Sequence, residues 1–177
     1  MSTAPGRAGG AESEAIAADR RRRLPSPGRL LRHTPLRTFL LYPLLVLGIE
    51  TVRRRRCPIV DRRYLPLLAW GYLQYHLVGE YRQRQHAGAR GFDRPPDRLL
   101  QTGPYAYTRN PMYLGHLIFL VGLALSTRSP LAWLLWLVNI PWFHRRVLYD
   151  EARLRAKFGA EFTAYCVRVR RWIPFVV

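Results

Sequence analysis

Residues 112–143 read MYLGHLIFLVGLALSTRSPLAWLLWLVNIPWF, from Met112 to Phe143. Two apolar runs, Met112–Thr127 and Pro130–Phe143, meet at Arg128-Ser129-Pro130. A connection that short joins two helices only as an antiparallel hairpin. Each run falls a little below the ~20 residues that cross a typical hydrocarbon core. A thinned bilayer or snorkelling arginines accommodate such a deficit.

Working outward, Leu36–Val52 and Leu65–Tyr81 have the same length and the same shortage of charge. The expected fold is therefore all-α: a multi-pass transmembrane bundle of about four spans, with short cytoplasmic amphipathic helices at the C-terminus. Residues 1–35 hold no apolar stretch of signal-peptide length and include the run Arg20 to Arg23. They read as a disordered basic arm. Residues 36–98 read as an N-terminal membrane hairpin and a cytoplasmic loop, and residues 99–177 as a third region.

Apolar residues form 49% of the 177-residue chain, yet its formal net charge is +18. The charge is arginine, with Lys157 the only lysine, and it crowds between the apolar runs. Such segregation fits a lipid bilayer with anionic headgroups as the partner. No nucleic acid is expected, because long apolar hairpins have no place on a soluble nucleic-acid binder. Cys57 and Cys166 stand far apart and make neither a disulfide framework nor a metal-ligand spacing.

Arg128 is the only base in its turn, whereas the flanks of the hairpin are rich in arginine, so the turn is expected outside and the C-terminus in the cytoplasm. The first half resists this rule. With four spans and cytoplasmic termini, Arg53 to Arg56, Arg62 and Arg63 fall outside; either Leu36–Val52 does not span fully or the tendency is broken. In the second segment, Gln74, His76 and Glu80 interrupt apolar sequence. Ionisable groups at such depth face a bundle interior or a wet cavity, although Glu80, with Tyr81, reads better at the interface, where a charge is cheap, and His76 fits either place.

The densest chemical signal runs from Leu100 to Gly115. Gly103-Pro104 is a turn, and Asn110-Pro111 is a helix start with Asn110 as N-cap and Pro111 in the first turn. The positive helix end beside Arg109 is suited to a carboxylate or phosphate. An ordinary capped membrane helix with an interfacial belt of Tyr105, Tyr107 and Tyr113 has the same pattern. The second signal runs from His144 to Gly159. Val147, Leu154 and Phe158 share one helical face, and Glu151 falls inside it. Asp150 has Arg146 one turn before it. A buried Glu151 needs a cation or several donors, which a cofactor with an ammonium and ribose hydroxyls would supply. Gly159 is expected to end this helix. Phe162, Tyr165 and Val169 then suggest a short amphipathic helix ending near Trp172-Ile173-Pro174.

Over residues 99–174 these features resemble the catalytic region of the isoprenylcysteine carboxyl methyltransferase and phospholipid methyltransferase superfamily. The shared features are Gly103-Pro104-Tyr105, Arg109-Asn110-Pro111-Met112-Tyr113-Leu114-Gly115, a membrane hairpin, Asp150-Glu151, Phe158-Gly159 and Trp172-Ile173-Pro174. Asn110 stands where the family has histidine, and Asp150 where it has the first of two glutamates. Asparagine carries no titratable proton, so no acid–base role is expected at that position.

The resemblance implies an integral membrane enzyme that transfers methyl from S-adenosylmethionine to a lipid-like or prenylated acceptor bearing a carboxylate, amine or thiol. It implies cofactor binding by Tyr105, Arg109, Asn110, Pro111, Tyr113, Gly115, Asp150 and Glu151, catalytic roles for Arg146 and Glu151, and no metal. The arginine bias suggests a bacterial inner membrane. Two other readings remain open: a membrane reductase of sterol-reductase-like architecture using NADPH, and a non-catalytic protein binding anionic lipid.

Overall fold

The computed structural model describes residues 34–55, 60–85 and 98–172. Most of the basic arm expected over residues 1–35 lies outside the described residues, as do Arg56, Cys57, and Ile173 and Pro174 of the closing motif. The described residues are helical, without strands. Four helices carry the fold: α1 (Tyr42–Arg54), α2 (Leu65–Arg84), α3 (Pro111–Thr127) and α4 (Pro130–Arg168). Prolines near the starts of all four mark their first turns, where a missing N–H costs nothing.

By length and hydropathy, one helical run among the described residues, Thr34–Arg54, is long and apolar enough to cross a membrane. Helix α3 is apolar but only 17 residues long. Helix α2 is long enough, but Gln74, His76, Glu80, Arg82 and Arg84 dilute its hydropathy. Helix α4 contains the expected Pro130–Phe143 segment and continues far past it, with Pro141 inside. It breaks at Gly159, whose φ of 51° and ψ of −120° are not helical; a residue without Cβ takes this conformation most readily.

Helices α2 and α3 approach until their backbones touch. A Cβ on Gly71 would lie 2.5 Å from the Phe119 amide nitrogen and 2.7 Å from the Gly115 carbonyl oxygen, and one on Gly115 would lie 2.9 Å from the Gly71 oxygen. Gly115, named from sequence as a cofactor contact, lies at this crossing. Small residues allow such contact, and the dispersion gained along the seam replaces the side chains given up.

The main core joins Val46 of α1, Tyr113, Leu120, Leu123 and Ala124 of α3, and Ala132, Phe143 and Val147 of α4. His116 is fully buried, its ring stacked between Phe39 at 4.7 Å and Phe143 at 5.3 Å. Gln74 donates to the Pro111 carbonyl at 2.9 Å, which joins α2 to the start of α3. Outward-facing residues are apolar as well, among them Leu44, Ile49, Trp70, Leu73, Leu77, Leu134, Leu137 and Val138.

The end of α1, the start of α2 and the α3–α4 turn gather at one end of the bundle. Buried Glu50 accepts from Arg53, from Arg54 and from the Ser129 hydroxyl at 2.7 Å. Asp61 accepts from Arg128 at 2.8 Å, and its amide donates to the Ser126 carbonyl. Arg128 therefore shares its end with the arginines that follow α1, and the charge of its turn alone does not orient the hairpin.

Candidate functional site

At the opposite end, the segment before α3 and the second half of α4 fold toward each other. Gly103 has φ of 60°, and a Cβ there would meet the Tyr81 ring at 2.8 Å. The turn it permits, Gly103–Ala106, is held by Tyr81 and Thr102 sharing a hydrogen bond of 2.6 Å and by the Tyr165 hydroxyl donating to the Tyr105 carbonyl at 2.7 Å. Beyond Gly159 the chain returns as a helical segment whose buried Phe162 and Tyr165 pack with Val169, Leu99, Leu154 and Phe158.

Between these pieces opens a cleft of about 770 Å³ including its mouth. Of the residues expected from sequence, it is lined by Tyr105, Arg109, Asn110, Pro111, Tyr113, Asp150 and Glu151. Arg82, Arg153, Leu100 and Met112 line it too, with Leu99, Leu154, Phe162 and Tyr165. Gly115 is not among the lining residues, and neither is Arg146. Arg146 stands next to the cleft residue Asp150, with its Nε 3.7 Å away, and lines a second, open groove with Trp142, Arg145 and Tyr149.

The two acids differ in their surroundings. Asp150 accepts from the Tyr113 hydroxyl at 2.6 Å and has Arg146 and Arg153 within 4 Å. Burial pushes its carboxyl above the usual aspartate range. Glu151 is 5% exposed and accepts from Arg171 Nε at 3.1 Å and Nη2 at 3.0 Å, with Arg109 Nε 3.5 Å away. The cation that Glu151 requires thus comes from the chain itself, which corrects the expectation of a stranded carboxylate. The Glu151 hydrogen bonds in turn raise the Arg171 pKa above its ordinary value.

Asn110 precedes α3, but its side chain makes no cap bond. Its Nδ2 donates to the Arg171 carbonyl at 3.1 Å, beside the Thr108 hydroxyl at 3.2 Å. Arg171 and Arg82 were both missed from sequence. Arg82 belongs to the charged tail of α2, and Arg171 to the arginine-rich stretch Arg168 to Arg171, so neither had a local mark that set it apart. Burial singles out Arg82, at 7% exposure, and Burial also raises the Tyr105 hydroxyl above the ordinary tyrosine range, with Arg82 opposing the shift.

Comparison with known proteins agrees with this architecture. The family model for phospholipid methyltransferases matches residues 73–161. A probable protein-S-isoprenylcysteine O-methyltransferase of Oryza sativa subsp. indica is 35% identical over 80 residues, which are 45% of this chain and 42% of that protein. Protein-S-isoprenylcysteine O-methyltransferase B of Arabidopsis thaliana is 30% identical over 102 residues, 57% of this chain and 46% of that protein. The chain thus spans less than half the length of these curated relatives. A solved structure of a eukaryotic intramembrane Ras methyltransferase, isoprenylcysteine carboxyl methyltransferase, superposes with a TM-score of 0.60 at 21% identity, covering 94% of this chain and 62% of that one. With half of its length matched and its fold shared, the chain belongs to the phospholipid methyltransferase family.

Proposed function

We propose that this protein is an integral membrane methyltransferase that uses S-adenosylmethionine and acts on a lipid-like acceptor, of which a prenylated cysteine carboxylate is the first to test. The observation that carries the reading is the cleft: guanidiniums and carboxylates stand side by side at one end of a bundle whose outer surface is apolar. A zwitterionic amino acid group requires both signs within one site. The apolar outer belt and the family relationship support four membrane spans and an acceptor presented from the bilayer.

The lining residues fit the cofactor. Arg109 and the start of α3 suit its carboxylate, Asp150 its ammonium or ribose hydroxyls, and the apolar wall of Leu99, Leu100, Met112, Leu154 and Phe162 its adenine. When bound, the cofactor supplies an electrophilic methyl group on a sulfonium whose departing thioether needs no proton. The protein's contribution is then alignment and exclusion of water, and effective concentration supplies most of the rate. Arg146, 3.7 Å from Asp150 and lining a groove with Trp142, Arg145 and Tyr149, is the candidate to orient an acceptor carboxylate.

Calorimetry in mild detergent tests this. Wild type is expected to bind S-adenosylmethionine and not NADPH, and Arg109→Ala is expected to lose that binding. A folded wild type that ignores S-adenosylmethionine would overturn the reading, and NADPH binding in its place would favour a reductase.

A further inference from the structure

Residues 170–172 form a strap across the start of α3, with bonds to three consecutive residues. The Arg109 amide donates to the Arg170 carbonyl at 3.0 Å, and the Thr108 hydroxyl and Asn110 amide group both donate to the Arg171 carbonyl. The next residue, Trp172, donates to His144 at 3.4 Å and packs on the main core. From the strap, the Arg171 side chain reaches into the cleft wall as a fork on Glu151.

The charges around that fork decide what Arg109 can do. Glu151 faces two guanidiniums, Arg171 bidentate at 3.0 Å and Arg109 at 3.5 Å. Two cations on one buried anion leave a net positive charge, and the better-bonded partner is Arg171. Were Arg171 absent, a buried carboxylate would take the nearest cation, because an unpaired buried charge is costly. Arg109, which is 11% exposed and already beside Glu151, would be drawn onto it and neutralised.

We propose that Arg171 is a positioning residue: by occupying Glu151 it leaves the Arg109 guanidinium available to the anionic group of the ligand, while Asp150 is the carboxylate that meets the ligand's cation. The proposal rests on the cleft being the cofactor site. It assigns Glu151 to Arg171 rather than to the ligand, and it gives the C-terminal strap a part in selecting a ligand with a carboxylate.

The test compares the affinity of detergent-purified protein for S-adenosylmethionine and for decarboxylated S-adenosylmethionine, with thermal unfolding measured on every variant. Wild type is expected to prefer the carboxylated form by roughly tenfold or more, the scale of one charge-assisted hydrogen bond. Arg171→Ala loses most of that preference. Arg171→Lys, which keeps the charge and the backbone strap, retains most of it and reports on the proposal should Arg171→Ala fold poorly. Adding Glu151→Gln to Arg171→Ala restores the preference, because nothing then captures Arg109. A purely structural strap gives no such rescue. If Glu151→Gln alone abolishes binding of both forms, or the double variant binds no better than Arg171→Ala, Glu151 is a ligand and the proposal is overturned. If folded wild type binds neither form, the cofactor reading falls, and this proposal with it.

Discussion

The two ends of the bundle satisfy their buried carboxylates in opposite ways. At the turn end, Glu50 draws on Arg53 and Arg54, three and four residues along the same helix, and on Ser129. At the cleft end, Glu151 is held by Arg171, twenty residues away, across a break in the chain's direction. The Glu50 charge is neutralised within its own helix, while its Ser129 bond and the Asp61–Arg128 pair join that end to the α3–α4 turn. At the cleft end, Arg82, Arg109 and Arg153 line a hollow together with Asp150 and Glu151, so that both signs of charge stand in one wall.

Substitutions at the two ends should therefore separate binding from folding. The largest expected effect is on ligand binding: Arg109→Ala or Asp150→Asn weakens S-adenosylmethionine affinity by about 10–150-fold, the range of one hydrogen bond to a charged group, as read by calorimetry. Glu50→Gln leaves that affinity unchanged and lowers the unfolding temperature; equal loss of binding at Glu50 would erase the distinction between the ends.

Next in size is the α2–α3 crossing. Gly71→Ala forces a Cβ into the Phe119 backbone and costs about 1–3 kcal/mol in detergent unfolding. Gly48→Ala, with nothing within 4 Å of the added Cβ, costs nothing or stabilises its helix slightly. Asp150 offers a smaller, signed effect. Its folded pKa is raised by burial, so its ionised form penalises folding at pH above that value, and the penalty vanishes below the unfolded pKa. Asp150→Asn should raise the unfolding temperature slightly at neutral pH while weakening binding. Wild-type binding should also weaken, as pH falls, at a higher pH than an ordinary aspartate would dictate. The smallest effect is expected for Arg128→Ala, whose partner Asp61 is bonded through an exposed guanidinium; unfolding should not move measurably.

Much of the fold was legible in sequence. The segment read as Leu36–Val52 appears within the run Thr34–Arg54, and Leu65–Tyr81 within α2. Met112–Thr127 differs from α3 by one residue, Pro111. The second half of α4 was legible through the stripe of Val147, Glu151, Leu154 and Phe158 and through Gly159, but the unbroken passage from Phe143 into it was not, since apolar content ends there and helical hydrogen bonding does not. In the site, the motif residues around Arg109 and Asp150 could be named in advance. Their partners Arg82 and Arg171 could not, because one arginine in so basic a chain looks like any other until burial picks it out.

The sequence by itself determined where helices begin, turn and break. Apolar run length, a proline without an amide hydrogen and a glycine free to take positive φ act within a few residues of themselves. Only the tertiary structure decided that Asn110 serves the strap instead of capping α3, that Gly115 lies against Gly71, and that Glu151 is held by Arg171. Each of those outcomes depends on which distant group arrives within about 3 Å, the reach of a hydrogen bond, and that follows from how the helices pack.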